Sequence, residues 1–342
     1  MLLTLYNNAS KTILSSKATT GLLVGVIFPK GYTAIAAIPT PADTNSPSKG
    51  AIDYGWCAEH AHQVARMLPG GLSVIGMFGP TPKDLARMLL AAVSVLPKDP
   101  IAVTTETDPT AFVYPAKTRV QIETRPEEAP VQTFKCVVPK DFIEKTPVLW
   151  VVDGRWTSFE SAGVPASSLE PGVHAVTLYS DEQIAYKPGC SAVCGAFSTV
   201  PPDTPLGEAV KGLLSDAKKS MSTRKEVVRE EEENREPNEG KPAAPLEVER
   251  VLLCGEHNLV FTDYKTQEET LEDVTDRAEC ILGLKGIKVS QVEKHQRAQE
   301  QKEGPKDPGA KAASKKTNVL FVLLPAVVCV VGILLYALLA SN

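Results

Sequence analysis

The run Val319–Ala340 (VLFVLLPAVVCVVGILLYALLA) constrains this chain more than any other stretch. It holds 22 residues and no charge. As an α-helix it would span about 33 Å, the thickness of a bilayer core. Pro325 and Gly332 are its weak helix residues, and membrane helices tolerate both. Only Ser341 and Asn342 follow it. The expectation is a tail anchor: one transmembrane helix over 319–340, with the rest of the chain on one side. Lys311, Lys315 and Lys316 precede the run and no charge follows it, so the positive-inside bias places the N-terminal region in the cytosol. Met1–Ser10 lacks the basic start of a signal peptide. The length of the span makes the endoplasmic reticulum the expected membrane.

Ahead of the anchor, apolar periodicity predicts alternating strands and helices. Thr20–Phe28 and Tyr32–Ile38 read as a hairpin around Pro29-Lys30-Gly31. Asp53–Leu68 reads as a helix with Cys57, Ala61, Val64, Ala65 and Leu68 on one stripe, stopped by Pro69-Gly70-Gly71. Leu72–Phe78 is a buried strand. Thr81 caps a helix with Pro82 and Asp84 in its first turn and Leu85, Met88, Leu89, Ala92 and Leu96 on its buried side. Short strands follow: Leu149–Trp156 around the turn Asp153-Gly154, then Gly172–Tyr179 and Cys194–Val200. Thr204-Pro205 opens a helix with the stripe Leu206, Val210, Leu213, Leu214, Ala217. The fold class is α/β (α+β), a mixed sheet with flanking helices.

The expected organisation is a folded region over 1–224, a disordered acidic insertion over 225–245 that contains Glu230–Glu233, and a strand-strand-helix part of the same region over 246–282. The helix in that part is expected to start near Thr266, with Glu269 completing a capping box. A polar tether over 283–318 then leads to the anchor. The net charge of −5 provides no broad basic surface for nucleic acid. The seven cysteines are scattered, and a cytosolic location keeps them reduced.

Motifs for chemistry fail one by one. His60 and His62 in EHAH sit two apart on a helix, on nearly opposite faces, so they cannot share a metal there. Cys190 and Cys194 lack a second pair with zinc spacing. His174 and His257 stand alone. Gly70, Gly71, Gly76 and Gly79 form neither a dinucleotide fingerprint nor a phosphate loop. No cofactor, metal or catalytic residue is expected.

The stretch Trp56–Phe78 (WCAEHAHQVARMLPGGLSVIGMF) resembles the signature of the odorant-response-abnormal-4 family. Trp56, Glu59, His60, Gln63, Val64, Arg66, Met67, Leu68, Pro69, Gly70, Gly71, Gly76 and Phe78 occupy its places. Gly21-Leu22-Leu23, Gly25, Asp263-Tyr264-Lys265 and the terminal span also fit. The resemblance implies an endoplasmic-reticulum membrane protein tied to folding and export of multi-pass receptors, such as odorant receptors delivered to cilia. It implies pairing with the cysteine protease that matures and removes the ubiquitin-fold modifier. It also implies an MPN-like fold. Active MPN metalloproteases carry HxH after the second strand, and a serine-x-x-aspartate beyond. Here those positions read Gly76-Met77-Phe78-Gly79-Pro80, with Asp84 alone, so the metal site would be missing. A silent domain of this kind is expected to work by docking, and the second face of helix Asp53–Leu68, with Trp56, His60, Gln63 and Met67, is the candidate partner-binding face. The alternatives are a hydrolase of the MPN or cysteine class with an unrecognised site, and a trafficking chaperone without a protease partner.

Overall fold

Gly21–Phe28 (β2) and Gly31–Pro39 (β3) pair antiparallel, with Leu22 opposite Ile38 and Leu23 opposite Ala37. This is the hairpin that the apolar runs predict. The computed structural model describes residues 1–15, 20–29, 31–42, 52–105, 109–126, 131–139, 149–157, 162–170, 173–179, 193–234, 248–255 and 259–293. Met1–Ala298 forms one compact unit and Gln299–Asn342 another. No helix among the described residues is long and apolar enough to cross a membrane. Val319–Ala340 lies outside the described residues.

Around the hairpin, β1 (Leu2–Leu5), β4 (Ser73–Gly79), β5 (Ile101–Thr104), β6 (Ala111–Val113) and β7 (Thr118–Thr124) complete a closed barrel of order β1-β3-β2-β4-β5-β6-β7. Successive side chains of a strand point to opposite faces, and β2 uses both. Leu23 joins Leu3, Leu5, Ile75, Phe78 and Val103 in one core, which α1 (Asn7–Ser15) completes with Ala9 and Ile13. Leu22 and Val24 join a second core with α2 (Tyr54–Met67) and α3 (Pro82–Ala91). The N-terminal segment, read from sequence only as a missing signal peptide, is therefore a barrel strand. β1 lies parallel between β3 and β7.

A five-stranded sheet of order β10-β9-β11-β8-β12 holds β8 (Gln132–Pro139), β9 (Leu149–Val152), β10 (Trp156–Thr157), β11 (Val173–Tyr179) and β12 (Val193–Val200). Asp153 and Gly154 both have positive φ, 51° and 68°, as the central residues of a tight turn closed by Arg155 N–H on the Val152 carbonyl at 3.0 Å, within the three-residue connection between β9 and β10. The helix α4 (Leu206–Asn234) covers this sheet with Leu206, Ala209, Val210, Leu213 and Ala217.

The third sheet has the order β14-β13-β15, from β13 (Glu249–Cys254), β14 (Val260–Lys265) and β15 (Lys288–Glu293), with α5 (Leu271–Leu282) in the connection. Three expected boundaries change here. The acidic insertion does not begin at 225, because α4 stays helical to Asn234. Lys, Arg and Glu are good helix formers, and Arg229 pairs with Glu233 one turn on; residues 235–245 lie outside the described set. The tether does not begin at 283. Lys288–Glu293 pairs with β13, and its Val289 packs on the core, an alternation masked by the polar residues between. Finally, α5 starts at Leu271. Two Thr-x-x-acid patterns stand in tandem, and the second, Thr270 with Asp273, makes the capping box. The first, Thr266 with Glu269, makes a turn ahead of it, in which Glu269 accepts from the Thr266 backbone.

Candidate functional site

Asp53 caps α2 by accepting from the Trp56 backbone N–H at 3.0 Å. The helix buries Cys57, Ala61 and Val64, as its stripe predicts, but it also buries His60 and Met67. The cause is α5, which packs on the side expected to face a partner. His60 Nε2 lies 2.7 Å from the Ile281 carbonyl, and its Nδ1 lies 3.3 Å from Thr40 Oγ1. Burial pushes the His60 pKa down, against the pull of the Ile281 carbonyl. Of the four predicted docking residues, His60 and Met67 are thus core. Trp56 is partly exposed and donates its indole N–H to the Pro41 carbonyl at 2.8 Å. Gln63 is partly exposed and donates to Glu59 at 3.1 Å. His62 points elsewhere, to Ser94 Oγ at 2.9 Å, as the two-residue spacing requires.

The end of α2 ties the three sheets together. Lys219 on α4 donates to the carbonyls of Leu68, at 2.7 Å, and Ala65. Lysine near a helix C-terminus satisfies carbonyls left without partners. Thr262 on β14 donates to the Met67 carbonyl at 3.3 Å. Gly70 donates to Phe197 of β12 at 3.0 Å and accepts from Thr199 at 2.8 Å. A Cβ at Gly70 would stand 2.0 Å from the Gly212 carbonyl of α4. Beneath this joint, the fully buried carboxylate of Asp216 accepts from Gly70 N–H, Phe197 N–H and, bidentately at 2.8 Å, Arg250 of β13. Arg250 also donates to Gly195 and lies over the Phe197 ring. Burial pushes the Lys219 pKa down to about 8; Asp216 opposes the shift and Arg250 adds to it. The run Arg66-Met67-Leu68-Pro69-Gly70-Gly71 is therefore a joint of the fold.

Beside the joint lies a cleft of about 270 Å³. One wall is Glu59, Gln63 and Arg66 of α2; another is Val227 and Glu231 of α4; the third is Asp263 of β14, Glu269 of the turn after it and Arg277 of α5. Arg277 forks between Asp263, at 2.9 Å, and Glu269, and donates to the Tyr264 carbonyl. Burial pushes Asp263 up, with Arg277 opposing. Burial also works upward on Glu269, but the Thr266 N–H and Arg277 outweigh it and its pKa falls. Arg66 has no hydrogen-bond or ion-pair partner among the described residues. Such a lining can hold a polar chain by ion pairs and hydrogen bonds. It carries no cysteine, histidine or serine among its described residues. Sequence reasoning placed Gln63 and Met67 near a site, and named Asp263-Tyr264 only through a resemblance. It missed Arg66, which has no partner among the described residues, and Arg277 as the organiser of the acidic wall, because both roles depend on contacts between distant segments.

The other candidates are engaged in structure. His174 bonds Asp153 at 2.7 Å and Gln132 at 3.0 Å, clamping β11 to the β9–β10 turn and to β8. Asp84 accepts from Thr81 and from Tyr54, at 2.6 and 2.9 Å, and the Thr81 bond leads in lowering its pKa. Met77 and Phe78, where an MPN enzyme would begin its histidine pair, are fully buried, one in each core of the barrel wall. Cys190 and His257 lie outside the described residues. No group of three or more His, Cys, Asp or Glu among the described residues is arranged to hold a metal.

Residues 21–140 match the family model ODR4-like, Odorant response abnormal 4-like. The matched span covers β2 to β8 and includes α2 and its joint. The chain is 40% identical over 87 residues to the protein odr-4 homolog of Xenopus tropicalis, covering 23% of this chain and 19% of that relative. It is 44% identical over 66 residues to the homolog of Gallus gallus, covering 17% of this chain and 15% of that one. The homolog of Mus musculus is 39% identical over 74 residues, covering 19% and 17%. The matches thus span less than a fifth of the length of these relatives, roughly 15–19%. Among solved structures, protein DSY2949 from Desulfitobacterium hafniense is 14% identical with a TM-score of 0.26, covering 37% of this chain and 94% of that one; that likeness is too low to equate the folds.

Proposed function

We propose that this chain is a non-catalytic adaptor in the trafficking of membrane receptors, held by Val319–Ala340 in the endoplasmic-reticulum membrane with its folded unit in the cytosol. One observation carries the reading: the ODR4-like match over residues 21–140 stands on the same chain as a 22-residue uncharged run. The order hairpin, helix, strand, helix over β2–β3, α2, β4 and α3 suits the MPN-like reading. The buried Met77-Phe78 and the engaged Asp84 support a silent version of it. The proposed partner is the cysteine protease specific for the ubiquitin-fold modifier, with multi-pass membrane cargo beside it. The docking surface moves from the buried side of α2 to its open side, Glu59, Gln63 and Arg66 at the cleft, since a guanidinium with no partner among the described residues and two long polar neighbours is a natural anchor for a protein partner.

The test is affinity purification of the full chain from detergent-solubilised membranes, with partners identified by mass spectrometry. The expected result is recovery of the protease, and loss of most of it in the double variant Gln63→Ala/Arg66→Glu without a fall in melting temperature. Recovery of receptors alone would favour the chaperone reading. Undiminished recovery in the double variant would move the interface off this cleft.

A further inference from the structure

The outward side of α3 has no place in the account so far. Its inward side is spent: Leu85, Met88, Leu89 and Ala92 are buried in the core shared with α2. On the outside, Leu90 is 65% exposed and Val93, three residues on, is 67% exposed. Isolated exposed apolar residues are ordinary. Leu90 lies in the last turn of α3 and Val93 just past its cap at Ala92, and cations flank the pair along the chain. Lys83 and Arg87 stand on the exposed side of the preceding turns, and Lys98 is exposed just beyond. Of the acids in the segment, Asp84 is held by Thr81 and Tyr54, and Asp99 is exposed. The segment 82–99 is thus net positive by one charge, in a chain whose net charge is −5.

We propose that this side of α3 rests on an anionic lipid surface and orients the folded unit against the bilayer. The inference builds on the anchor reading above. Two facts select lipid as the occupant. Exposed apolar side chains with Lys83 and Lys98 nearby, and Arg87 held over the Tyr54 ring, match a headgroup boundary, where the former enter the acyl edge and the cations meet anionic headgroups. Residues 294–318 are the 25 residues between the folded strand β15 and the apolar run, and whatever conformation they take, they span at most about 90 Å. A unit confined that near a membrane needs only a weak surface contact to stay oriented, because the contact is intramolecular.

The experiment uses the full chain reconstituted in nanodiscs of phosphatidylcholine, alone or mixed with phosphatidylserine. The photocrosslinking residue p-benzoylphenylalanine is placed at Leu90, at Val93 or, as a control, at Val173, which is equally exposed but lies in the five-stranded sheet. The expected result is lipid adducts at 90 and 93 about fivefold above those at 173, higher with phosphatidylserine, reduced by salt and reduced by Lys83→Glu/Lys98→Glu. Alkaline extraction of the same samples tests the anchor separately. Retention in the membrane with adduct yields no higher at 90 and 93 than at 173 overturns the α3 contact and leaves the anchor standing. Release by alkali overturns the anchor and the proposal with it. Adducts at 90 and 93 that go to a co-purified protein instead of lipid also overturn it.

Discussion

His60 and Gly70 carry the residue-scale argument. His60 is buried neutral, with one ring nitrogen on the Ile281 carbonyl and the other on Thr40. His60→Ala leaves both partners unmatched and opens a cavity, so chemical denaturation should show a loss of about 2–4 kcal/mol. The folded pKa of His60 lies below the 6.5 of an unburied histidine. The unfolded chain therefore takes up the proton first as pH falls. The contribution of His60 is fully present above about pH 6.5 and declines as pH drops through its folded value. His60→Gln should flatten that part of a stability–pH profile; an unchanged acid limb would show that another group is responsible. Gly212 tests packing against propensity. Alanine in a helix interior is favoured over glycine by about 1 kcal/mol. Here its Cβ would stand 2.4 Å from Ser198 Oγ and 3.0 Å from the Gly71 nitrogen. Gly212→Ala should therefore lower the melting temperature despite its better propensity, and Gly70→Ala, facing an immovable carbonyl, should lower it further.

Among elements, α2 and α4 meet through Lys219, and the strand β15 is held by Glu293. Lys219 releases its proton near pH 8 when folded and near 10.5 when unfolded. Between those values the unfolded chain holds more protons, so this group makes stability rise with pH across that window. Lys219→Met should remove the rise, while at neutral pH the lost carbonyl contacts and the relieved buried charge offset one another. Glu293 pairs with Arg224 at 3.0 Å, both half-buried or less exposed, and accepts from the Gly195 N–H. Glu293→Ala should cost about 1–3 kcal/mol. A loss within error would mean that β15 is held by its ladder with β13 alone.

For the whole molecule, Asp216 and Arg250 form the buried pair on which the three sheets converge. Asp216→Ala strips a buried guanidinium of its counter-charge and should cost about 3–5 kcal/mol. Because β12, β13 and the end of α2 share that carboxylate, unfolding of the unsubstituted chain should be a single transition. Separate melting of the barrel would contradict a joint that couples the sheets. Truncation before Val319 should move the chain to the soluble fraction; retention in carbonate-washed membranes would refute the anchor. Elemental analysis of the purified chain should find no stoichiometric zinc, and about one zinc per chain would revive the metalloenzyme.

Local signals were legible in the residues themselves. The β2–β3 hairpin, the Thr81 cap, the Asp153-Gly154 turn and the inward stripes of α2, α3 and α4 each depend on neighbours within a few positions, where dihedral preference and periodicity act. The 22-residue uncharged run is legible for the same reason. The joint was not. That His60 and Met67 are core follows from α5 arriving some 200 residues later, at Ile281, to cover a side of α2 that periodicity alone leaves open. That Arg66 has no partner among the described residues while Arg277 holds two carboxylates depends on which acids the fold brings within reach. Strand β15 and the last third of α4 look like tether and insertion because polar composition says only that a segment can face water. Whether it also pairs or packs is decided by partners distant in the chain, and those contacts exist only once the sheets have met.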